Sequence, residues 1–314
     1  MAVPPQPRVL VVLSENWTLT SARDLPDLVR MAQEAEQAGV DGVMVSQHIV
    51  LGPSAGAAGP MANPRQYAMP GNQDPAMPWP SSLLLLAAVA ARTSTLRLVA
   101  GAIIAPLQHP LILAKDLATL DLLSAGRLVV LPTVSWHEEE YAALGVPYRQ
   151  RGARLDEHLA VWRAAWSGAP VSNPGPHYRF DTVYVQPSPH RPGGPPLWFG
   201  SSGMHPALLR RLVEYGSGWN PLGAPTAADR ERLATAMVAA GRSVHELELV
   251  GGTRAVFAST DRPADFDEAF AAIPDQLAAG FATFCVKPSQ LTDDRSAWGA
   301  TCRRAVQRIE SLTG

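Results

Sequence analysis

Two hydrophobic patterns take turns along this chain: short apolar runs that read as buried strands, and longer stretches whose apolar residues fall three and four apart, as on amphipathic helices. The clearest unit spans residues 96–136. The run Leu96-Arg97-Leu98-Val99-Ala100-Gly101-Ala102-Ile103-Ile104-Ala105 stops at Pro106, too short for a bilayer and bounded like a buried strand. A helix follows, with His109 as its cap, Pro110 in the first position, where no N–H is needed, and Leu113, Leu117 and Leu120 on one face. Gly126 can adopt the left-handed conformation that closes a helix, and Arg127-Leu128-Val129-Val130-Leu131 reads as the next strand. Strand, helix and strand with short connections make a right-handed crossover between parallel neighbours.

The same alternation runs through the chain. Strands are predicted at residues 8–14, 43–46, 96–105, 127–131, 196–199, 218–220, 248–257 and 281–286. Helices are predicted at 24–37, 82–91, 110–125, 137–144, 152–166, 206–215, 227–240, 263–279 with an interruption at Pro274, and 296–312. Two stretches stand outside this rhythm. Residues 47–80 are rich in Pro, Gly and Ala without periodicity, the mark of a lid, a binding loop or a disordered excursion after the second strand. Residues 177–185 carry two short alternating runs around Asp181, which predict a surface hairpin within an insertion at 170–190. Eight strands alternating with helices predict an α/β fold of the closed (β/α)8 barrel type, one domain over residues 1–314, with a doubly wound open sheet as the alternative.

Composition narrows the partners. Of the 314 residues 46% are hydrophobic and 17% charged, enough apolar mass for a buried sheet. The net charge of −2 has no basic block behind it, which argues against nucleic acid and anionic membranes as partners. The two cysteines, Cys285 and Cys302, lie in a strand and a helix and suit reduced core thiols, and so a cytoplasmic setting. The N-terminal stretch Met1 to Pro7 lacks the charged and apolar regions of a signal peptide.

In a (β/α)8 barrel the chemistry sits just past the carboxyl ends of the strands. Those positions hold Glu15, Asn16 and Trp17, then His48, then 102–106, then Thr133 to His137, then Ser201, Ser202 and Gly203, then Trp219 and Asn220. His48 is the sharpest of them, since imidazole can give and take a proton near neutrality; the plainer reading is a histidine that holds the following loop. Ser201-Ser202-Gly203 before a helix offers N–H groups to a phosphate, or is an ordinary serine-capped turn. Trp136 offers an aromatic wall, whereas the acids Glu138, Glu139 and Glu140 read as partners of a helix dipole. Lys115 reads as a surface lysine. No metal-ligand spacing, Walker-type run or nucleophile elbow occurs in the sequence, so no metal site is expected.

The stretches Ala35 to Val43, Ser46-Gln47-His48, Ala114 to Arg127, Arg151 to Glu157 and Gly216-Ser217-Gly218-Trp219 resemble, in this order, the bacterial luciferase-like flavin and deazaflavin oxidoreductases. The resemblance implies a barrel that binds coenzyme F420, or alternatively FMN, at the strand ends, commonly as a homodimer acting on a small molecule. It places His48 beside the reactive ring, Ala102 and Ile103 at a bulged strand end where relatives carry a non-prolyl cis peptide, Thr133 and Ser135 near the cofactor, and Ser201 to Gly203 at its phosphate. Glu15, Trp17, Trp79, Trp136 and Trp219 would form the substrate pocket. The chain departs from the family pattern at Gln47 and Ser217, where aspartate is common, and at residues 131–135, where Pro132 removes a backbone donor. Trp136 stands where the F420-dependent sugar-phosphate dehydrogenases carry an acid, which disfavours that substrate. The implied function is F420-dependent hydride transfer, with an FMNH2-dependent monooxygenase and a non-catalytic cofactor-binding protein as alternatives.

Overall fold

The computed structural model describes residues 6–312, so the N-terminal stretch read above lies, as far as Pro5, outside the described residues. The strands in chain order are β1 (Arg8–Val12), β2 (Gly42–Val45), β3 (Arg97–Ile104), β4 (Leu128–Thr133), the outlying β5 (Val171–Asn173) and β6 (Phe180–Val183), then β7 (Leu197–Ser201), β8 (Gly216–Pro221), β9 (Glu248–Gly252) and β10 (Thr283–Val286). All but β5 and β6 pair in parallel and close into a barrel in the order β1-β10-β9-β8-β7-β4-β3-β2. The closed barrel, not the open sheet, is the architecture.

The helices are α1 (Leu25–Gln37), α2 (Ser82–Ala90), α3 (Pro110–Leu123), α4 (Glu138–Ala143), α5 (Arg151–Ala165), α6 (Pro206–Tyr215), α7 (Ala227–Ala239), α8 (Phe266–Phe270), α9 (Ile273–Ala278) and α10 (Trp298–Glu310). Their ends follow local chemistry. His109 caps α3 by accepting from the Leu111 N–H, and Gly126, at φ +80°, takes the left-handed turn out of it. None of the helices among the described residues is long and apolar enough to cross a membrane.

Side-chain alternation sorts the strands into two cores. Val9, Val11, Val43, Val45, Leu98, Ala100, Leu128, Val130, Leu197, Phe199, Phe284 and Val286 face outward onto the helices. Leu10, Val99, Val129, Leu131, Trp198 and Val250, with Met44, Ala102 and Cys285, fill the barrel interior. Trp198 fits because its neighbour is Gly218: a Cβ there would stand 2.2 Å from the indole. Below it the Arg97 guanidinium lies 5.0 Å from the Trp198 ring and binds Glu248 through two hydrogen bonds of 2.7 and 2.9 Å, closing the floor. Two residues above the interior layer, period-two alternation brings Gly101, Thr133, Gly200, Gly252, Ser46 and Lys287 to the mouth. Most are small.

Three predicted elements differ. The hairpin pairs Val171–Asn173 with Phe180–Val183, so Asp181 lies within a strand and the turn falls at 174–179. The seventh barrel strand ends at Gly252 rather than residue 257, because Gly252 packs against the Cys285 carbonyl and the chain then leaves the sheet. The helix expected at 263–279 is two helices, α8 and α9, with Pro274 in the first turn of the second.

Candidate active site

The end of β3 is irregular: its register with β4 shifts between Gly101 and Ile103, and the Gly101–Ala102 peptide is cis. Gln47, the first residue past β2 but one, holds this end in place, its Oε1 accepting from the Ile104 N–H at 2.9 Å. Ala102 packs on the interior cluster, while the Ile103 side chain is wholly buried in the outer core, so that only the Ile103 backbone is left to the mouth.

His48 stands beside this bulge and is fastened from a distant element. Its Nδ1 lies 3.3 Å from Oε2 of Glu140, which is fully buried on α4. Glu140 Oε1 accepts from the N–H groups of Ile49 (2.6 Å) and Val50 (3.3 Å), and the Ser135 hydroxyl donates to Oε2 at 3.4 Å. A carboxylate held by backbone donors and facing Nδ1 selects the tautomer protonated there and turns Nε2 outward. The hydrogen-bonding contact to Nε2 is the Gln73 amide at 3.5 Å, too long to hold it firmly. Two neighbours of Glu140 grip the same loop: His137 Nε2 accepts from Gly52 N–H at 2.7 Å and Glu139 Oε2 from Ser54 N–H at 3.0 Å. Burial lowers the His137 pKa, which keeps the imidazole neutral and able to accept.

Aromatic rings enclose the imidazole. Trp79 and Trp136 meet His48 edge to face at 5.3 and 5.9 Å, and Trp17 meets Trp79 in the same way at 5.5 Å. Glu15, in the left-handed region at φ +66°, lies beside Trp17 in a cleft that also includes Trp79. Four of the five residues predicted for the substrate pocket, Glu15, Trp17, Trp79 and Trp136, are thus gathered on one side of the mouth. Trp219 is not: it is buried in the outer core between sheet and helices, because its register position on β8 points away from the barrel axis.

The serine turn forms a separate arc of the rim. It follows β7, which is separated from β2 by β4 and β3. Ser202 and Gly203 are exposed ahead of α6, and a Cβ at Gly203 would meet nothing within 4 Å, so the backbone there is open to a ligand. Arg232 of α7 reaches this turn, donating to the Met204 carbonyl at 3.1 Å. Thr133 lies between the two arcs at the end of β4, and the Ser135 hydroxyl is turned toward Glu140.

Sequence reasoning missed Glu140, Lys287 and Arg232. Glu140 is one of three consecutive acids, of which Glu138 is exposed; only the packing of α4 selects which one turns inward. Lys287 follows a buried strand and is itself fully buried, with Nζ donating to the Gln66 carbonyl at 2.7 Å.

With this geometry in hand, comparisons place the chain among known proteins. It is 31% identical over 196 residues to an F420-dependent hydroxymycolic acid dehydrogenase of Mycobacterium tuberculosis, covering 61% of this chain and 48% of that protein. It is 34% identical over 118 residues to an FMNH(2)-dependent dimethylsulfone monooxygenase of Pseudomonas fluorescens, covering 37% of this chain and 32% of that protein. These matches, like most of the curated relatives, span about half the length of the relative or less. The fold is similar to the crystal structure of the monooxygenase RslO1 from Streptomyces bottropensis, with a TM-score of 0.72 at 20% identity, covering 94% of this chain and 96% of that one. Residues 8–300 match the family model described as luciferase-like monooxygenase, and the chain belongs to that family.

Proposed function

We propose that the chain is an F420-dependent oxidoreductase that moves a hydride between the deazaflavin and a small organic substrate. The observation that carries the reading is the fastening of His48 by a wholly buried Glu140 at an aromatic-walled mouth. Burying a carboxylate costs free energy unless it is fully bonded, and here its bonds fix both the backbone at Ile49 and Val50 and the imidazole just before it.

The residues present fit such a cofactor. The open backbone at Gly203, ahead of α6 with Arg232 beside it, suits a phosphate. His48, Ala102, the Ile103 backbone and Thr133 would flank the ring, and Ser201, Ser202 and Gly203 would hold the phosphate. Once bound, the deazaflavin supplies or accepts the hydride. His48 manages the accompanying proton: with Nδ1–H directed at Glu140, Nε2 receives a proton from a substrate hydroxyl or returns one to a carbonyl oxygen. Trp17, Trp79 and Trp136 exclude water and give the substrate an apolar wall.

F420 is preferred over FMN because the F420-dependent relative matches a larger share of the chain, 61% against 37%. The FMNH2- and oxygen-dependent reading is the second, favoured by the monooxygenases among the relatives and fold neighbours. As part of the same proposal the enzyme works in the cytoplasm as a homodimer; its free thiols Cys285 and Cys302 suit a reducing compartment. The test is turnover with and without oxygen over a panel of small alcohols and ketones. F420-dependent conversion that persists anaerobically supports the reading, and oxygen uptake that requires FMNH2 overturns it in favour of the second.

A further inference from the structure

Lys287 is the buried group that the proposed chemistry leaves unused. It follows β10 on the inward face, has no exposed surface, and sits with Nζ 5.7 Å from the Trp17 ring centre and 5.1 Å from that of Tyr67. Its ammonium donates to the Gln66 carbonyl at 2.7 Å and lies 3.8 Å from Glu15 Oε2. The same Glu15 oxygen accepts from the Ala68 N–H at 2.9 Å, while Oε1 accepts from the Ser46 hydroxyl at 3.0 Å. One ion pair rooted in the barrel thus grips the carbonyl before Tyr67 and the N–H after it, each with the group of matching polarity.

We propose that Lys287 and Glu15 are positioning residues that clamp residues 66–68 over the barrel mouth and thereby set the Trp17 and Tyr67 side of the substrate pocket. Neighbouring anchors do not replace this clamp. Arg65 binds Asp293 through two hydrogen bonds of 2.7 and 2.5 Å, and Asn63 donates to the carbonyls of Ser259 and Arg262, but all of these fix the chain ahead of Gln66. Beyond residue 68 a firm anchor is the Gln73 N–H, which donates to the Ala55 carbonyl at 2.9 Å. The Gln66 N–H turns back on the Asn63 carbonyl at 3.0 Å, while the Gln66 carbonyl and the Ala68 N–H are held by Lys287 and Glu15.

The pocket role rests on the proposed function; the clamp does not. Hydrogen exchange measured on the full chain therefore separates the two. Lys287→Met and Glu15→Gln are each expected to raise amide exchange at 66–68 by tenfold or more, while residues 49–54, held by His137, Glu139 and Glu140, keep their protection. In turnover, KM is expected to rise more than kcat falls. Glu15→Gln preserves the shape of the side chain and serves if Lys287→Met does not fold. Unchanged exchange at 66–68 in a folded variant overturns the clamp, as does equal loss of protection at 49–54, which marks a general structural role. Confirmed exchange changes in a protein that turns over with neither cofactor leave the clamp standing and overturn the functional reading.

Discussion

The two limbs of the 47–80 segment are held to one barrel by different physics. The limb after β2 is held by acceptors clustered on the start of α4: His137, Glu139 and Glu140 take the backbone N–H groups of residues 49, 50, 52 and 54. The returning limb is held largely by charge, through Arg65 on Asp293 and through Lys287 with Glu15, beside the neutral Asn63 amide on the Ser259 and Arg262 carbonyls. The first arrangement is directional and includes His48, so its geometry passes to the imidazole. The second consists mainly of partly or fully buried ion pairs, which fix position while leaving it sensitive to protonation and to loss of one partner. Under the proposed function, orientation of the imidazole and closure of the pocket fall to separate sets of bonds.

Substitutions that touch one limb should leave the other intact. The largest effect is expected at His48 itself: His48→Ala should lower turnover by about 10²–10⁴-fold, the usual worth of a positioned acid or base, while cofactor affinity stays within severalfold. Unchanged kcat in a steady-state assay would remove His48 from the reaction. Glu140→Ala comes next, since two backbone N–H groups lose their buried acceptor; thermal or urea unfolding should register a loss of roughly 2–4 kcal/mol. Protection of 66–68 in that variant should persist, and its collapse would show that the limbs are one unit.

The smallest effect is one of pH. Burial pushes the Lys287 pKa down from 10.5 to about 8, with Glu15 opposing the shift. The unfolded chain therefore holds this proton more tightly, so the contribution of Lys287 to stability grows as pH rises from about 8 toward 10.5 and is lost as pH falls through about 8. The facing titratable groups are Glu15, Tyr67 and Cys285; burial raises the Tyr67 phenol well above its usual value and the Cys285 thiol to about 12, so both stay neutral in the folded state. Because the raised thiols titrate in the opposite sense, the quantity to follow is the difference in urea midpoint between wild type and Lys287→Met, which should shift in favour of the wild type between pH 8 and pH 10.5. A flat difference would show that the amine is no more desolvated than in water.

Most of the barrel was legible from periodicity because its apolar runs are bounded by clear signals, as by Pro106 after β3 and by the helix-ending Gly126 before β4. The hairpin was misplaced because Val171–Asn173 is three residues long, too short to carry a period, and the alternation after His177 reads equally well with Asp181 as a turn. At the site, the strand-end rule pointed to His48, Trp17 and Trp136, which the structure brings together, whereas Trp79 comes from the 47–80 segment. The rule failed for Trp219, which sits at the same height but on the outward register, and a shift of one residue reverses which side a strand residue faces. Glu140 and Lys287 were illegible for a common reason. A charged residue looks solvated in sequence, and only tertiary partners, two backbone amides for one and a carbonyl and a carboxylate for the other, make its burial affordable.

Equilibrium titration of the protein with oxidised F420 and with FMN, followed by tryptophan fluorescence and ligand absorption in the wild type and in His48→Ala, tests the account most directly. The account predicts F420 binding in the micromolar range to both proteins and FMN binding far more weakly. Tight binding of FMN with none of F420, or no binding of either, would contradict it.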